Sequence, residues 1–197
     1  MNDVIKTIFE RRAIRKYKKK EVSKDSIEQI IDAGRMAPSA MNKQLWKFFV
    51  VTSEEDIKLF SREIAKEGLK IIPKMGIKEV VKSIVSGITN LSHGIDFLMS
   101  KDPVFHEAPV VVFITAPKDN EWAALDIGMC SQNMMLAAKS LGLDSCPIGF
   151  GKFVEKTKSY SKLNIPSDDR VQLAIIVGYG DETPEVHKRK KDNVFYI

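Results

Sequence analysis

Residues 37–51 read Ala37-Pro38-Ser39-Ala40-Met41-Asn42-Lys43-Gln44-Leu45-Trp46-Lys47-Phe48-Phe49-Val50-Val51, a polar loop that runs straight into an aromatic and β-branched segment. Pro38 disfavours helical geometry at Ala37, so a helix arriving from upstream stops near Met36. Trp46 to Thr52 is short, apolar and weakly alternating, the pattern of a buried strand. The junction sets a helix, a true connection and a strand in order, with an amide-bearing loop at the strand's entrance.

Upstream, Ser23 is placed to cap a helix with Asp25 in its first turn, and Ile27, Ile30 and Ile31 form its buried face. Val4, Ile5, Ile8 and Phe9 recur at helical spacing and predict a short helix over 3–10. That helix delivers Arg11-Arg12-Ala13-Ile14-Arg15, three guanidinium groups within five residues. Guanidinium forks suit oxyanions such as phosphate better than they suit a core; the competing reading is a solvated charge run. A phosphate grip together with an amide-bearing loop points to a nucleotide-like cofactor.

Downstream, Ile57, Phe60 and Ile64 mark a third helix from about Glu54 to Glu67. Over 68–107, Gly68, Pro73, Gly76, Gly87 and Gly94 interrupt patches such as Ile84, Ile88 and Leu91, which predicts short helices in a variable excursion or lid. Ala108 to Thr115 is a continuous β-branched run typical of a central strand. A long helix follows over 123–141, apolar on most of its surface and closed by Gly142. Such a helix needs cover on nearly all sides, from the core of a monomer or from a second subunit. Asp144 to Gly151 reads as a turn-rich apolar loop, with a helix near 152–162, a break at Asn164-Ile165-Pro166 and a buried strand over 171–180. Helices mixed with widely separated strands predict an α+β sandwich around one sheet, in a single domain over 1–197.

Composition bounds the function. The chain has 197 residues, 44% hydrophobic and 29% charged, enough to bury a full core. The net charge of +5 arises from 31 basic and 26 acidic residues, with basic clusters at 15–20 and 188–191. Only Tyr17 accompanies the first cluster and no reading motif follows, which argues against nucleic acid as a partner. Cys130 and Cys146 lie in apolar contexts without CxxC spacing, which argues against a disulfide framework or a metal site. There is no signal-peptide core and no apolar run of the ~20 residues a membrane span needs, so the expected setting is cytoplasmic.

Familiar catalytic motifs are absent. No GxGxxG or GxxxxGK[ST] stretch accounts for a nucleotide, and no serine has a G-x-S-x-G setting. His93, His106 and His187 are scattered, as surface or structural histidines are. Cys146 has no adjoining group to lower its pKa and reads as an inert buried thiol. Asp126, early in the long helix, reads as a hydrogen-bonding anchor.

The ordered set of segments resembles the nitroreductase family of flavin-dependent oxidoreductases. The resemblance rests on Arg11 to Arg15, on Ala37 to Trp46 leading into a strand, and on Asp126 opening a helix that ends at Leu141-Gly142-Leu143. It continues through Pro147-Ile148-Gly149, Val177-Gly178-Tyr179-Gly180 and a basic tail containing Arg189, and is weakest over about 54–107. The resemblance implies an α+β sandwich with a central mixed, mainly antiparallel sheet flanked by helices, built as an intertwined homodimer whose long helices pack together. It implies FMN at the dimer interface, NADH or NADPH as donor, and a small-molecule acceptor such as a nitroaromatic, quinone or flavin, reduced by a ping-pong exchange.

By the same resemblance, Arg11 and Arg12 would hold the phosphate, with Ala13 between them and Arg15, and Arg189 would join from the tail. Arg15 would lie near the pyrimidine edge, where positive charge stabilises the anionic reduced ring. Ser39 and Asn42, after Pro38 and with Gln44 close by, would come from the partner chain. Pro147, Ile148 and Gly149 would pack on the ring, with a backbone N–H, that of Gly149, offered to N5. The flavin carries the redox chemistry, so no side chain is an obligatory acid or base. Ala13 stands where serine is commoner, His187 where another basic residue often sits, and Ala40 and Met41 where small polar residues are usual. The alternatives are a specialised member of the family, a reductive dehalogenase or flavin-consuming enzyme, and a flavin-binding or basic-surface interaction protein without turnover.

Overall fold

A computed structural model describes residues 1–70 and 101–197; most of the excursion expected over 68–107, and His93 with it, lies outside the described residues. Helix α1 spans Asp3–Glu10, with the Asn2 side chain accepting from Ile5 N. Helix α2, Lys24–Arg35, starts where Ser23 Oγ accepts from Ser26 N and stops at Met36, two residues before Pro38. The loop then enters strand β1, Lys47–Val51, and helix α3 runs over Glu54–Leu69 behind a Ser53 cap. Strand β2 is Val110–Pro117, helix α4 is Ala123–Ser140, strand β3 is Asp144–Ile148 and strand β4 is Asp169–Gly178. After α4 the chain reverses at Gly142, whose φ of +74° suits a residue without a Cβ.

The strands lie in the order β1-β2-β4-β3 and every pair is antiparallel. Parallel pairing is confined, among the described residues, to one bridge between Ala13 and Ser145. Three expectations are corrected. Residues 144–148 form β3 rather than a loop; it lies at the sheet edge, where Pro147, with no N–H to donate, is tolerated. Residues 152–162 form two 3-10 helices, Gly149–Lys156 and Lys158–Leu163, separated by an extended Thr157. A Cβ at Gly151 would lie 2.4 Å from the Ala174 Cβ, so the first of these turns lies tightly against β4. β1 is an edge strand with Val50 exposed, not a buried strand.

The continuous apolar run of β2 serves two faces. Val111 and Phe113 point into a core with Phe60, Ile64, Phe105, Val154 and Ile176, where the Phe60 and Phe105 rings each meet Phe113 edge-on at 5.8 Å. Val110, Val112 and Ile114 point the other way, toward Ile30 and Ile31 of α2 and Cys130 and Met134 of α4. A Cβ at Gly34 would come within 2.7 Å of Met134 Cγ, so α2 and α4 approach closely there. One side of α4 is thereby covered. Along its outer side Leu125 and Gly128 are exposed and Met129 and Leu136 half-buried, a largely apolar stripe at helical spacing interrupted by the exposed Gln132. Beside it α1 leaves Val4, Ile5, Ile8 and Phe9 exposed and buries none of its residues.

Candidate functional site

The arginine segment is pinned by its apolar residues. Ile14 and Tyr17 are buried, Ile14 N donates to Ser145 O at 3.2 Å, and the Tyr17 hydroxyl donates to Ile14 O at 2.7 Å. Burial drives the Tyr17 phenol far above its ordinary pKa, so it stays a donor. Arg11 and Arg12 are half-buried and Arg15 exposed. Arg12 Nη1 donates to Phe9 O and Arg11 O at 2.6 and 2.8 Å, and Arg15 N donates to Glu182 Oε1 at 2.5 Å. Among the described residues no carboxylate forms an ion pair with the guanidinium of Arg11, Arg12 or Arg15. Guanidinium groups outside any described ion pair, with only that of Arg12 held by carbonyls and the Glu182 carboxylate bound at the Arg15 main chain, suit an anion such as phosphate.

The Ala13–Ser145 bridge sets this segment beside β3, whose end carries Pro147, Ile148 and Gly149. Pro147 and Gly149 are exposed, and a Cβ at Gly149 would meet nothing within 4 Å, so the backbone is open to a flat ligand. Ser145 Oγ is buried without a described partner, a state that costs ~1–3 kcal/mol unless a ligand or water satisfies it. Cys146 is fully buried, and burial raises its thiol pKa against the opposing pull of Arg15 and Arg11. Burial likewise pushes Cys130 up to about 12. Neither thiol is poised as a nucleophile.

The loop after Pro38 is held from several sides. Ser39 Oγ accepts from Gln44 N at 3.0 Å, Gln44 Nε2 donates to Asn42 Oδ1 at 2.9 Å, and Ala40 N donates to Asp126 Oδ1 at 3.1 Å. Met41, Asn42 and Gln44 have φ of 53°, 52° and 48°, left-handed values unfavourable for Met and Gln. Strain of this kind persists where the surroundings over-determine it and clusters at functional sites. Asp126, 4% exposed, is the anchor, and the loop presents Asn42 and Gln44 to solvent.

The structure therefore sets the Arg11–Arg15 segment against β3 at Ser145, upstream of Pro147, Ile148 and Gly149 on the same strand and turn. Among the described residues no hydrogen bond joins these groups to Ser39, Asn42 or Gln44. Arg189 lies in an exposed tail, its Nη1 donating to His187 O at 2.9 Å. A cleft of about 770 Å³ opens elsewhere, between the starts of α2 and α3, and contains none of these residues.

Sequence reasoning missed Glu182, whose carboxylate accepts from Arg15 N, and the left-handed turn at His106. His106 and Glu107 both have φ of 57°, in a turn closed by the Asp102 carboxylate, which accepts from Phe105 N and Glu107 N at 2.9 Å each. An aspartate three residues before the turn's centre was the available signal. Burial and the Arg15 charge hold the His106 pKa below its ordinary 6.5, with Asp102 and Glu182 opposing. His106 thus binds a proton less readily folded than unfolded, so its contribution to stability is complete above about 6.5 and declines as pH falls below it. Urea midpoints of the native chain should fall from pH 7.5 to pH 5 more steeply than those of His106→Asn.

Among the described residues no helix is long and apolar enough to cross a membrane, and no cluster of three or more His, Cys, Asp or Glu side chains could hold a metal ion. The model of the nitroreductase family matches residues 8–179. The chain is 28% identical over 196 residues to the nitrobenzene nitroreductase of Ectopseudomonas oleovorans, covering 89% of this chain and 86% of that one. It is 26% identical over 211 residues to the 4-nitrobenzoate reductase of Pseudomonas putida, covering 94% and 89%. A crystal structure of a nitroreductase with bound FMN from Bacteroides fragilis superposes with a TM-score of 0.78 over 100% of both chains, at 24% identity, a likeness of fold.

Proposed function

The chain belongs to the nitroreductase family, and from that premise we propose that it is an FMN-dependent NAD(P)H oxidoreductase, active as a cytoplasmic homodimer. The observation that carries the reading is the arginine segment, its guanidinium groups in no described ion pair, bridged through Ala13 to β3 at Ser145, upstream of the open backbone at Gly149. When bound, FMN supplies the hydride exchange, from NAD(P)H to an electron-poor acceptor such as a nitroaromatic, quinone or flavin.

Arg11 and Arg12 would hold the phosphate, and Arg15 would lend positive charge to the ring. Pro147 and Ile148 would support the ring, and Gly149 would offer it a backbone N–H. Ser39, Asn42 and Gln44 would bind the ring from a second copy, consistent with the absence of any described hydrogen bond between them and the arginines within one chain. Arg189 closes on the phosphate from the tail. The uncovered stripe of α4 and the exposed face of α1 supply the apolar area that pairing needs.

The test is the absorption spectrum of the purified protein. The two bands of an oxidised flavin, bleaching on addition of NADH or NADPH and returning with an electron-poor acceptor, are the expected result. A protein that stays colourless after incubation with FMN overturns the proposal.

A further inference from the structure

We propose that Arg12 is a positioning residue that ties the anion grip to α1: one side of its guanidinium holds the last carbonyls of the helix and leaves its other donors for a phosphate. An anion bound at the arginines thereby firms the helix that pairs with a second copy. The inference rests on the reading of the arginine segment as a phosphate site and of α1 as part of the pairing face.

Helix α1 has little to hold it within one chain. It spans eight residues, Asp3–Glu10, and none of them is buried; a helix that short is marginal in water on propensity alone. Its start is secured by the Asn2 side chain, which accepts from Ile5 N at 3.0 Å. Its last turn carries no basic residue to meet the negative pole of the helix. The exposed face of Val4, Ile5, Ile8 and Phe9 is left for the second copy to cover.

Arg12 supplies what that end lacks. Its Nη1 donates to Phe9 O at 2.6 Å and to Arg11 O at 2.8 Å, and Arg11 N donates to Thr7 O at 2.9 Å, so two consecutive residues take up the exit of α1. Phe9 belongs to the last turn, where carbonyls have no intrahelical partner. The Arg12 side chain is half-buried and in no described ion pair. Nη1 is committed to α1, and among the described residues no hydrogen bond uses Nε or Nη2. The remaining N–H groups form the edge of the fork that takes an oxyanion bidentately. Directly after the clasp, Ala13 bridges to Ser145 and Ile14 N donates to Ser145 O at 3.2 Å, which fixes the main chain to β3.

Holding a long guanidinium side chain in one geometry costs rotamer entropy, and the helix and the anion share that cost. With phosphate bound the fork is already restrained, and the clasp on α1 forms at a smaller loss; with α1 formed the fork is already aimed. The coupling is therefore positive and reciprocal. Because α1 carries its apolar face to the second copy, occupancy of the grip and pairing of the chains belong to one equilibrium. A lysine at position 12 would keep the charge and lose the fork: a point charge that turns to the phosphate leaves the carbonyls.

Hydrogen exchange over residues 3–11 of the apoprotein tests the coupling, with inorganic phosphate as the probe at matched ionic strength. Without phosphate, Arg12→Ala should speed exchange of the Ile8 to Arg11 amides about two- to fivefold, the effect of losing a cation at a helix C-terminus. Arg11→Ala, which removes the same charge and keeps the main-chain bond to Thr7 O, should speed them less. Phosphate should slow these amides about twofold or more in the native chain and should not slow them in Arg12→Lys. Sedimentation of the same samples should show phosphate tightening the native dimer and not that of Arg12→Lys. Native amides that phosphate does not slow, a dimer constant that it does not change, or equal effects of Arg12→Ala and Arg11→Ala overturn the inference. If phosphate slows the amides and tightens the dimer but the chain binds no FMN, the coupling stands and the reading as a flavin enzyme falls.

Discussion

Arg11→Ala should raise the dissociation constant for FMN about 10- to 150-fold. A hydrogen bond to a charged group contributes ~1.5–3 kcal/mol, and each 1.4 kcal/mol is about tenfold in affinity. The range holds because Arg11 has no described carboxylate to satisfy it when the ligand leaves, so nothing inside the protein competes for its charge. Its N–H caps α1 through Thr7 O, a main-chain contact that alanine keeps, so the fold should be unaffected. Arg12 is a weaker test, since its Nη1 already donates to two carbonyls. Fluorescence titration of the apoprotein with FMN measures the change, and Lys at position 11 should recover part of it, as a point charge without the planar fork. Unchanged FMN affinity in Arg11→Ala would place the arginines among ordinary solvated charges.

What could be read from sequence follows from which forces act locally. Ser23, Asp25 and Pro38 bound α2 through contacts within a few residues, and the structure caps and ends that helix where they predict. Gly142 stops α4 for the same reason. β3 is illegible because Asp144, Ser145 and Pro147 have turn propensities, and only its pairing with β4 makes it a strand. β1 misled in the opposite direction: Phe48, Phe49 and Val50 are as apolar as a central strand, yet the sheet order leaves them at an edge, with Val50 40% exposed. Within the site, Arg11 to Arg15 was visible from density of charge alone. The role of Asp126 in holding Ala40 N spans 86 positions, and that of Glu182 at Arg15 N spans 167. Contacts at such separations leave no trace in local pattern.

Gly128→Arg should leave a folded monomer that binds FMN at least a hundredfold more weakly. A Cβ added at the exposed Gly128 meets nothing within 4 Å in one chain, so a longer side chain can extend into solvent there and, as a better helix former than glycine, the substitution is slightly favourable to the isolated fold. In a dimer built on the outer stripe of α4, the same guanidinium would be buried between Leu125 and Gln132 with no described acid on that stripe to pair it. An uncompensated buried charge costs ~3–5 kcal/mol, and two-fold symmetry applies that cost twice. Sedimentation or size-exclusion measurements at micromolar concentration read the first effect and FMN titration the second. Gly128→Ala, which adds only a methyl, is the control for helix propensity and should remain dimeric. The two readouts together separate the possibilities. If the variant is monomeric and still binds FMN with native affinity, one chain holds the cofactor alone, and Ser39, Asn42 and Gln44 have no part in it. If both dimer and flavin are lost, the arginines of one chain and the loop of the other belong to a single site.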